Sequence, residues 1–163
     1  MCIVRYRKDA GNDAYRKTGL DDGREPRVGA AIAQALAAEG ADVAITYEKS
    51  AATAAEVVRT IEALGRRAVA IPADSADAAA VQASVERTVA ELGGLDILVN
   101  NAGILRLSEV KDISLEDIDA TLNVNVRAPI IASKAAIPHL GQGGRVINIG
   151  SFFADRVPGG AGL

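Results

Sequence analysis

The sequence predicts an α/β fold built on a doubly wound parallel sheet, and two observations carry that reading. From Val28 onward the apolar residues alternate, about every 10 to 20 positions, between helical spacing and short continuous runs, the signature of repeated βαβ units. Single glycines or glycine pairs close the helical stretches, as expected where a helix ends in a left-handed residue. The combination is that of a Rossmann-type sheet, in which helices cover both faces of buried strands.

Val28, Ile32 and Leu36 recur every four residues on an alanine-rich helix that stops at Gly40. Residues 42–47 (DVAITY) read as a short buried strand. Val57, Val58, Ile61 and Leu64 mark a second helix ending at Gly65. The strand at 68–71 comes next, closed by Pro72 because proline has no N–H for the ladder. Val81, Val85, Val89 and Leu92 give a third helical stripe, closed by Gly93 and Gly94, and 95–99 (LDILV) form another strand. Ser114 with Asp117 three residues on resembles a capping box and opens a long helix carrying Ile118, Leu122 and Val126 on one face. Residues 146–149 are the last strand visible. Ahead of these elements, 1–27 hold seven Lys or Arg and five Asp or Glu with little periodicity, so they read as an irregular or disordered tail. The only strand candidate there, 1–6 (MCIVRY), stands far from the first helix, which leaves the first strand of the sheet in doubt and places the domain at 28–163.

With 49% hydrophobic and 24% charged residues, the chain has the make-up of one soluble globular domain. Eighteen Lys plus Arg against 21 Asp plus Glu leave a formal charge of −3, which argues against nucleic acid held by overall charge. No apolar run approaches the roughly 18 residues of a membrane helix, so no membrane partner is expected. The single cysteine, Cys2, cannot close an intrachain disulfide, and the expected location is the cytoplasm. The lone histidine, His139, has no Cys, Asp or His partner at ligand spacing, so no metal site is expected. An aromatic share of 3% without Trp disfavours base-stacking and carbohydrate sites.

Asn100, Asn101, Ala102 and Gly103 directly follow the strand at 95–99, and a polar turn there stands at the edge where doubly wound folds bind ligands. Asp74 and Ser75 follow the preceding strand, Asn125 sits in a Val-Asn-Val run of the long helix, and residues 144–151 read GRVINIGS. In this order the motifs resemble the short-chain dehydrogenase/reductase family, in particular members similar to 3-oxoacyl-acyl-carrier-protein reductases, over residues 28–163. Each residue also has a plainer reading: Asp74 as a helix N-cap, Asn125 as a satisfied helix polar group, Ser151 as a strand-end hydroxyl.

The resemblance implies hydride transfer between a nicotinamide dinucleotide and a small-molecule carbonyl or alcohol. It implies that the Asn100 to Gly103 run, with Asn101, Ala102 and Gly103, stabilises the sheet and faces the adenosine ribose, and that Asp74, beside Ser75, meets the adenine. Asn125 and Ser151 match two of the family's four catalytic residues, the serine polarising the carbonyl and the asparagine supporting a proton-relay water. The other two are a tyrosine about 13 residues after the serine and a lysine four further on, whereas the sequence ends at Leu163, twelve residues past Ser151. Lys134, in an ASKAA stretch before Ser151, reads as a solvated helix lysine. The sheet is therefore expected to lack its last strands and the polypeptide to be inactive. Relatives are homo-oligomers, a state not carried over to this chain.

The family opens its first helix with Thr-Gly-Xaa-Xaa-Xaa-Gly-Xaa-Gly, whose glycines let the backbone approach a pyrophosphate. Aligning the last glycine on Gly29 places the first on Gly23, the middle one on Arg27 and the threonine on Asp22. Read one base forward, the codons available to 22–27 permit Thr-Gly-Gly-Ser-Arg-Gly, so a frame-shifted stretch is expected here. Where NAD-preferring members carry Asp at the end of the second strand, this chain has Tyr47, followed by Lys49 and Ser50 as acceptors of a 2′-phosphate. NADP(H) is accordingly favoured over NAD(H). The alternative function is a non-catalytic nucleotide-binding or interaction module on the same scaffold.

Overall fold

A computed structural model describes residues 2–5 and 28–151. Five strands, β1 (Cys2–Arg5), β2 (Asp42–Tyr47), β3 (Ala68–Pro72), β4 (Leu95–Asn100) and β5 (Leu140–Asn148), form one sheet in the order β3-β2-β1-β4-β5. The helices are α1 (Val28–Ala38), α2 (Ala51–Ala63), α3 (Ala78–Leu92), α4 (Leu115–Leu122) and α5 (Ala128–Ala136). β2 pairs parallel with β3, and β4 parallel with β5. Chain order reverses across β1, which gives the doubly wound arrangement.

Alternation along the strands builds two cores. Val4, Val43 and Val99 point into one layer with Ala33 and Ala37 of α1 and Val57 and Ile61 of α2. Ile3, Ala44 and Leu98 point into the other with Val81, Val85 and Leu92 of α3 and Ala132 of α5. On α1 the residues turned fully inward are Ala33 and Ala37, while Val28 is exposed and Ile32 and Leu36 pack only partly. Small side chains there let the helix lie close on the sheet. Leu64, Leu122 and Val126, expected on buried stripes, are also exposed.

The structure corrects the reading of the N-terminal segment. Cys2–Arg5, expected within an irregular tail, form the central strand, and that strand is antiparallel to both neighbours rather than part of an all-parallel sheet. Cys2 lies opposite Ile45 and Val99, and Arg5 opposite Asp42. The slot between β2 and β4 explains this. It presents two rows of backbone donors and acceptors and two apolar faces, and leaving them open would bury unpaired polar groups. Ile3 and Val4 fill both faces and are both fully buried. Arg5 then falls at the amino edge of the sheet, Nε 3.7 Å from Asp96 Oδ2, and its guanidinium covers Gly94 so closely that a Cβ has no room. Gly94 has φ 149°, a backbone conformation that favours glycine. In the described residues, β1 ends at the edge opposite the one where α1 begins. Residues 6–27, with Gly23 and the expected frame-shifted stretch, lie outside the described residues.

The amino edge is fastened by Asp42. Its carboxylate accepts hydrogen bonds from the Arg67 backbone N–H at 3.0 Å, from Arg67 Nε at 2.9 Å and from Arg66 Nη2 at 2.9 Å. Arg67 Nη2 also donates to the Leu92 carbonyl at 2.8 Å, so one residue ties the start of β2 to the α2–β3 turn and the end of α3. Further along, the last strand begins at Leu140 instead of 146, with an irregularity in its pairing between Leu95 and Ile97. The long helix after Ser114 begins as expected, with the Ser114 hydroxyl accepting from the Asp117 N–H at 3.1 Å. It is interrupted by a π-helical turn at Asn123–Arg127, where the Ala128 N–H reaches back to the Asn123 carbonyl.

Candidate functional site

The carboxyl ends of β2, β3 and β4 open into a cleft of about 530 Å³ that the start of α1, Thr53, Ala54 and Val57 of α2 and Val124 also line. The β2 end contributes Tyr47, Lys49 and Ser50, and the β3 end Asp74 and Ser75. The β4 end contributes Asn101, Ala102 and Gly103, and α1 contributes Gly29. Of the residues expected at a cofactor, these nine thus share one cavity, while Gly23 lies outside the described residues.

Local chemistry explains how each is held. Asn100 is buried, with 7% of its surface exposed; its Nδ2 donates to Asn148 Oδ1 at 2.8 Å and its carbonyl accepts from the Ile149 N–H at 2.9 Å. These bonds lock the carboxyl ends of β4 and β5 together and aim the following turn into the cleft. Asn101 packs its amide against Gly29, where an added Cβ would stand 2.8 Å from Nδ2. The position is helical, so an alanine fits its backbone, and what must give way to the added Cβ is the end of the Asn101 side chain. Asp74 is not the cap of α3. Its Oδ1 accepts from the Ala76 N–H at 2.8 Å, closing a tight turn, while Asp77 caps the helix through the Ala79 and Ala80 N–H groups. Ser50 precedes α2, and its side chain makes no capping bond.

Asn125 lies in the π-helical turn, a helix irregularity frequent at functional sites. Its Nδ2 donates to the Ile104 carbonyl at 2.8 Å and its Oδ1 accepts from the Ile104 N–H at 2.9 Å. The carboxamide is therefore a clasp on the backbone just after Gly103, and Ile104 itself lines the cleft. Replacing Asn125 with alanine is expected to free both Ile104 groups and cost about 1–2 kcal/mol of stability, with faster amide exchange confined to the loop after β4. Unchanged exchange at Ile104 would count against the clasp. Ser151 is exposed just beyond β5 on the same edge of the sheet and is not among the residues lining the cleft.

Sequence reasoning missed Glu48. It lines the cleft, and its Oε1 sits 2.8 Å from Lys49 Nζ. That hydrogen bond, with its charge and that of Asp74, raises the Lys49 pKa above its ordinary value. The adjacent acid and base in the Glu-Lys-Ser stretch were the available signal. Lys134 is exposed on α5, in a groove against α3 and away from the cleft, and His139 pairs with Glu86 at 3.3 Å. Among the described residues no group of three or more His, Cys, Asp or Glu could hold a metal, and no helix is long and apolar enough to cross a membrane.

Comparison with known proteins places this geometry in context. Residues 18–161 match the family model for short chain dehydrogenases. An uncharacterized oxidoreductase of Methylorubrum extorquens is 40% identical over 139 residues, covering 85% of this chain and 56% of the relative. Hydroxynaphthalene reductase of Aspergillus fumigatus is 40% identical over 146 residues, covering 89% and 54%. Among solved structures, a short chain dehydrogenase from Burkholderia cenocepacia in complex with NADP is 65% identical, with a TM-score of 0.80 over 82% of this chain and 54% of that one. A blue fluorescent protein from a metagenomic library in complex with NADPH is 47% identical, with a TM-score of 0.81 over 83% and 56%. The chain spans about half the length of the curated relatives it matches.

Proposed function

The chain belongs to the short-chain dehydrogenase family, and from that membership we propose that its cleft binds a nicotinamide dinucleotide, with NADP(H) favoured over NAD(H). The activity proposed for the whole protein is an oxidoreductase interconverting a small carbonyl compound and its alcohol, of the 3-oxoacyl-thioester kind. One observation carries this reading: residues from three strand ends and the start of α1 converge on a single cavity at the carboxyl edge of the sheet. Ligands of doubly wound folds bind at that edge. The NADP and NADPH complexes of the two solved relatives support the choice of ligand.

The residues present fit the adenosine side of such a cofactor. A cleft of about 530 Å³ lies within the usual range for ligand sites, roughly 300–1,000 Å³. Tyr47, Lys49 and Ser50 would meet the ribose and any phosphate on it. Asp74, beside Ser75, would meet the adenine, with one carboxylate oxygen already committed to Ala76. Asn101, Ala102 and Gly103 would lie along the sugar, held in place by Asn100 behind them and by the Asn125 clasp in front. When bound, the nicotinamide supplies or takes the hydride. Ser151 would offer its hydroxyl to the substrate carbonyl, and Asn125 would hold the adjoining wall.

Titration with NADP(H) tests the assignment, and Gly29→Ala sharpens it. Alanine is the better helix former by about 1 kcal/mol, so the substitution is expected to leave stability unchanged or raise it. Its Cβ would nevertheless displace the Asn101 amide into the cleft, and nucleotide affinity is expected to fall about 10-fold. Equal affinity in both proteins would remove Asn101 and Gly29 from the binding surface.

A further inference from the structure

Beside the cleft lies a second, much smaller cavity of about 20 Å³, where the strand ends meet α3 and α5. Thr46 and Ser75 line both cavities. The small one is also lined by two polar side chains that are almost wholly buried, Ser84 of α3 at 1% exposure and Asn100 of β4 at 7%. Its other lining is apolar, Val81, Val124 and Ala132 included. Neither Asn125 nor Ser151 lines it, so it is distinct from the proton-relay position that the family resemblance implies.

Ser84 stands on the buried face of α3 among Val81, Val85 and Leu92, where a hydroxyl is costly unless it is bonded. Its proton goes to the Val81 carbonyl at 2.7 Å, which leaves the oxygen to accept. Asn100 Nδ2 gives one of its two protons to Asn148 Oδ1 at 2.8 Å, which leaves the second to donate. We infer that the small cavity is a binding site for a single water molecule, which accepts from Asn100 Nδ2, donates to Ser84 Oγ and takes the hydroxyl of Ser75 or Thr46 as its third partner. The water braces the carboxyl end of β4, and with it the turn that enters the cleft, against α3. Size and chemistry both select this occupant. A water needs roughly 10–15 Å³ of such space and about two to four polar partners, so the cavity admits one and excludes an organic ligand. The lining holds no carboxylate, imidazole or thiol, so a metal ion finds no ligand of the usual kinds.

A crystal structure of the chain at a resolution that shows ordered solvent tests the site directly. One water is expected within about 2.7–3.2 Å of both Asn100 Nδ2 and Ser84 Oγ. In solution, thermal denaturation of Ser75→Ala, Ser84→Ala and the double variant tests the bridge. Each single substitution is expected to lower Tm by about 2–4 °C. The double variant should lose little more than either single one, because the first loss already frees the water that the two hydroxyls share. Tm shifts that simply add, or a cavity in which no water joins Ser84 to Asn100, overturn the proposal.

Discussion

Replacing Asp42 with alanine is expected to destabilise the fold by roughly 2–4 kcal/mol, measured by chemical denaturation at neutral pH. Asp42 is 4% exposed and receives bonds from Arg66 and Arg67 together with a backbone N–H. Its removal orphans that N–H and leaves two guanidinium groups without their carboxylate. Both arginine side chains reach solvent, which moderates the loss relative to a fully buried pair. A change of this size is a large fraction of the roughly 5–15 kcal/mol that stabilises a typical domain.

The same residue sets a pH dependence. Burial alone would raise the Asp42 pKa, but the Arg67 backbone and side-chain bonds and the charges of Arg66 and Arg67 outweigh it and hold the carboxyl below its ordinary value. The stabilisation is therefore complete above about pH 4 and is lost as the pH falls through the folded-state value. Asp42→Asn should flatten the acid limb of the stability curve, and an unchanged acid limb would show that the latch contributes nothing there. The cleft lies at the other end of β2, about 17 Å along the strand, so nucleotide affinity under native conditions should be unaffected.

The contrast between what was legible and what was not follows from how local each signal is. β2 was readable because the apolar Val43–Ile45 run, flanked by Asp42 and by Thr46 and Tyr47, falls between the glycine that closes α1 and the start of α2. The three glycine-terminated helices were readable for the same reason, since Gly40, Gly65 and Gly93 take left-handed φ values of 93°, 74° and 78°. The cleft followed from the strand ends, because a parallel strand fixes which edge its next turn occupies. The antiparallel β1 was not readable. A four-residue strand carries no direction in its pattern, and what selects it is the unfilled slot between β2 and β4, a property of the assembled sheet. The Asp42 latch was hidden for a related reason, as its partners stand 24 and 25 residues away. Likewise Asn125 was visible as a polar residue in a helix, but its bond to Ile104 depends on a π-helical turn that no local propensity marks.

The 163-residue polypeptide is expected to bind adenosine nucleotides and yet show no NADPH oxidation with ketone or 3-oxoacyl-thioester substrates, in an assay following absorbance of the reduced nicotinamide. Carbonyl reduction needs a proton delivered to the oxygen as hydride reaches the carbon, and a positioned general acid is worth about 10²–10⁴-fold in rate. A serine hydroxyl can polarise a carbonyl but is too weak an acid to deliver that proton by itself. Tyr47, the one tyrosine among the described residues, lines the cleft at the end of β2. Lys134 faces the groove between α3 and α5, so it cannot lower the pKa of a group at the carboxyl edge. The expected rate is therefore at least about 10²-fold below that of an enzyme with a positioned acid. Measurable turnover would mean that another group supplies the proton. Saturable binding without turnover would separate the two halves of the site, with the strand ends sufficient to hold the nucleotide and the acid–base step dependent on residues that these elements do not provide.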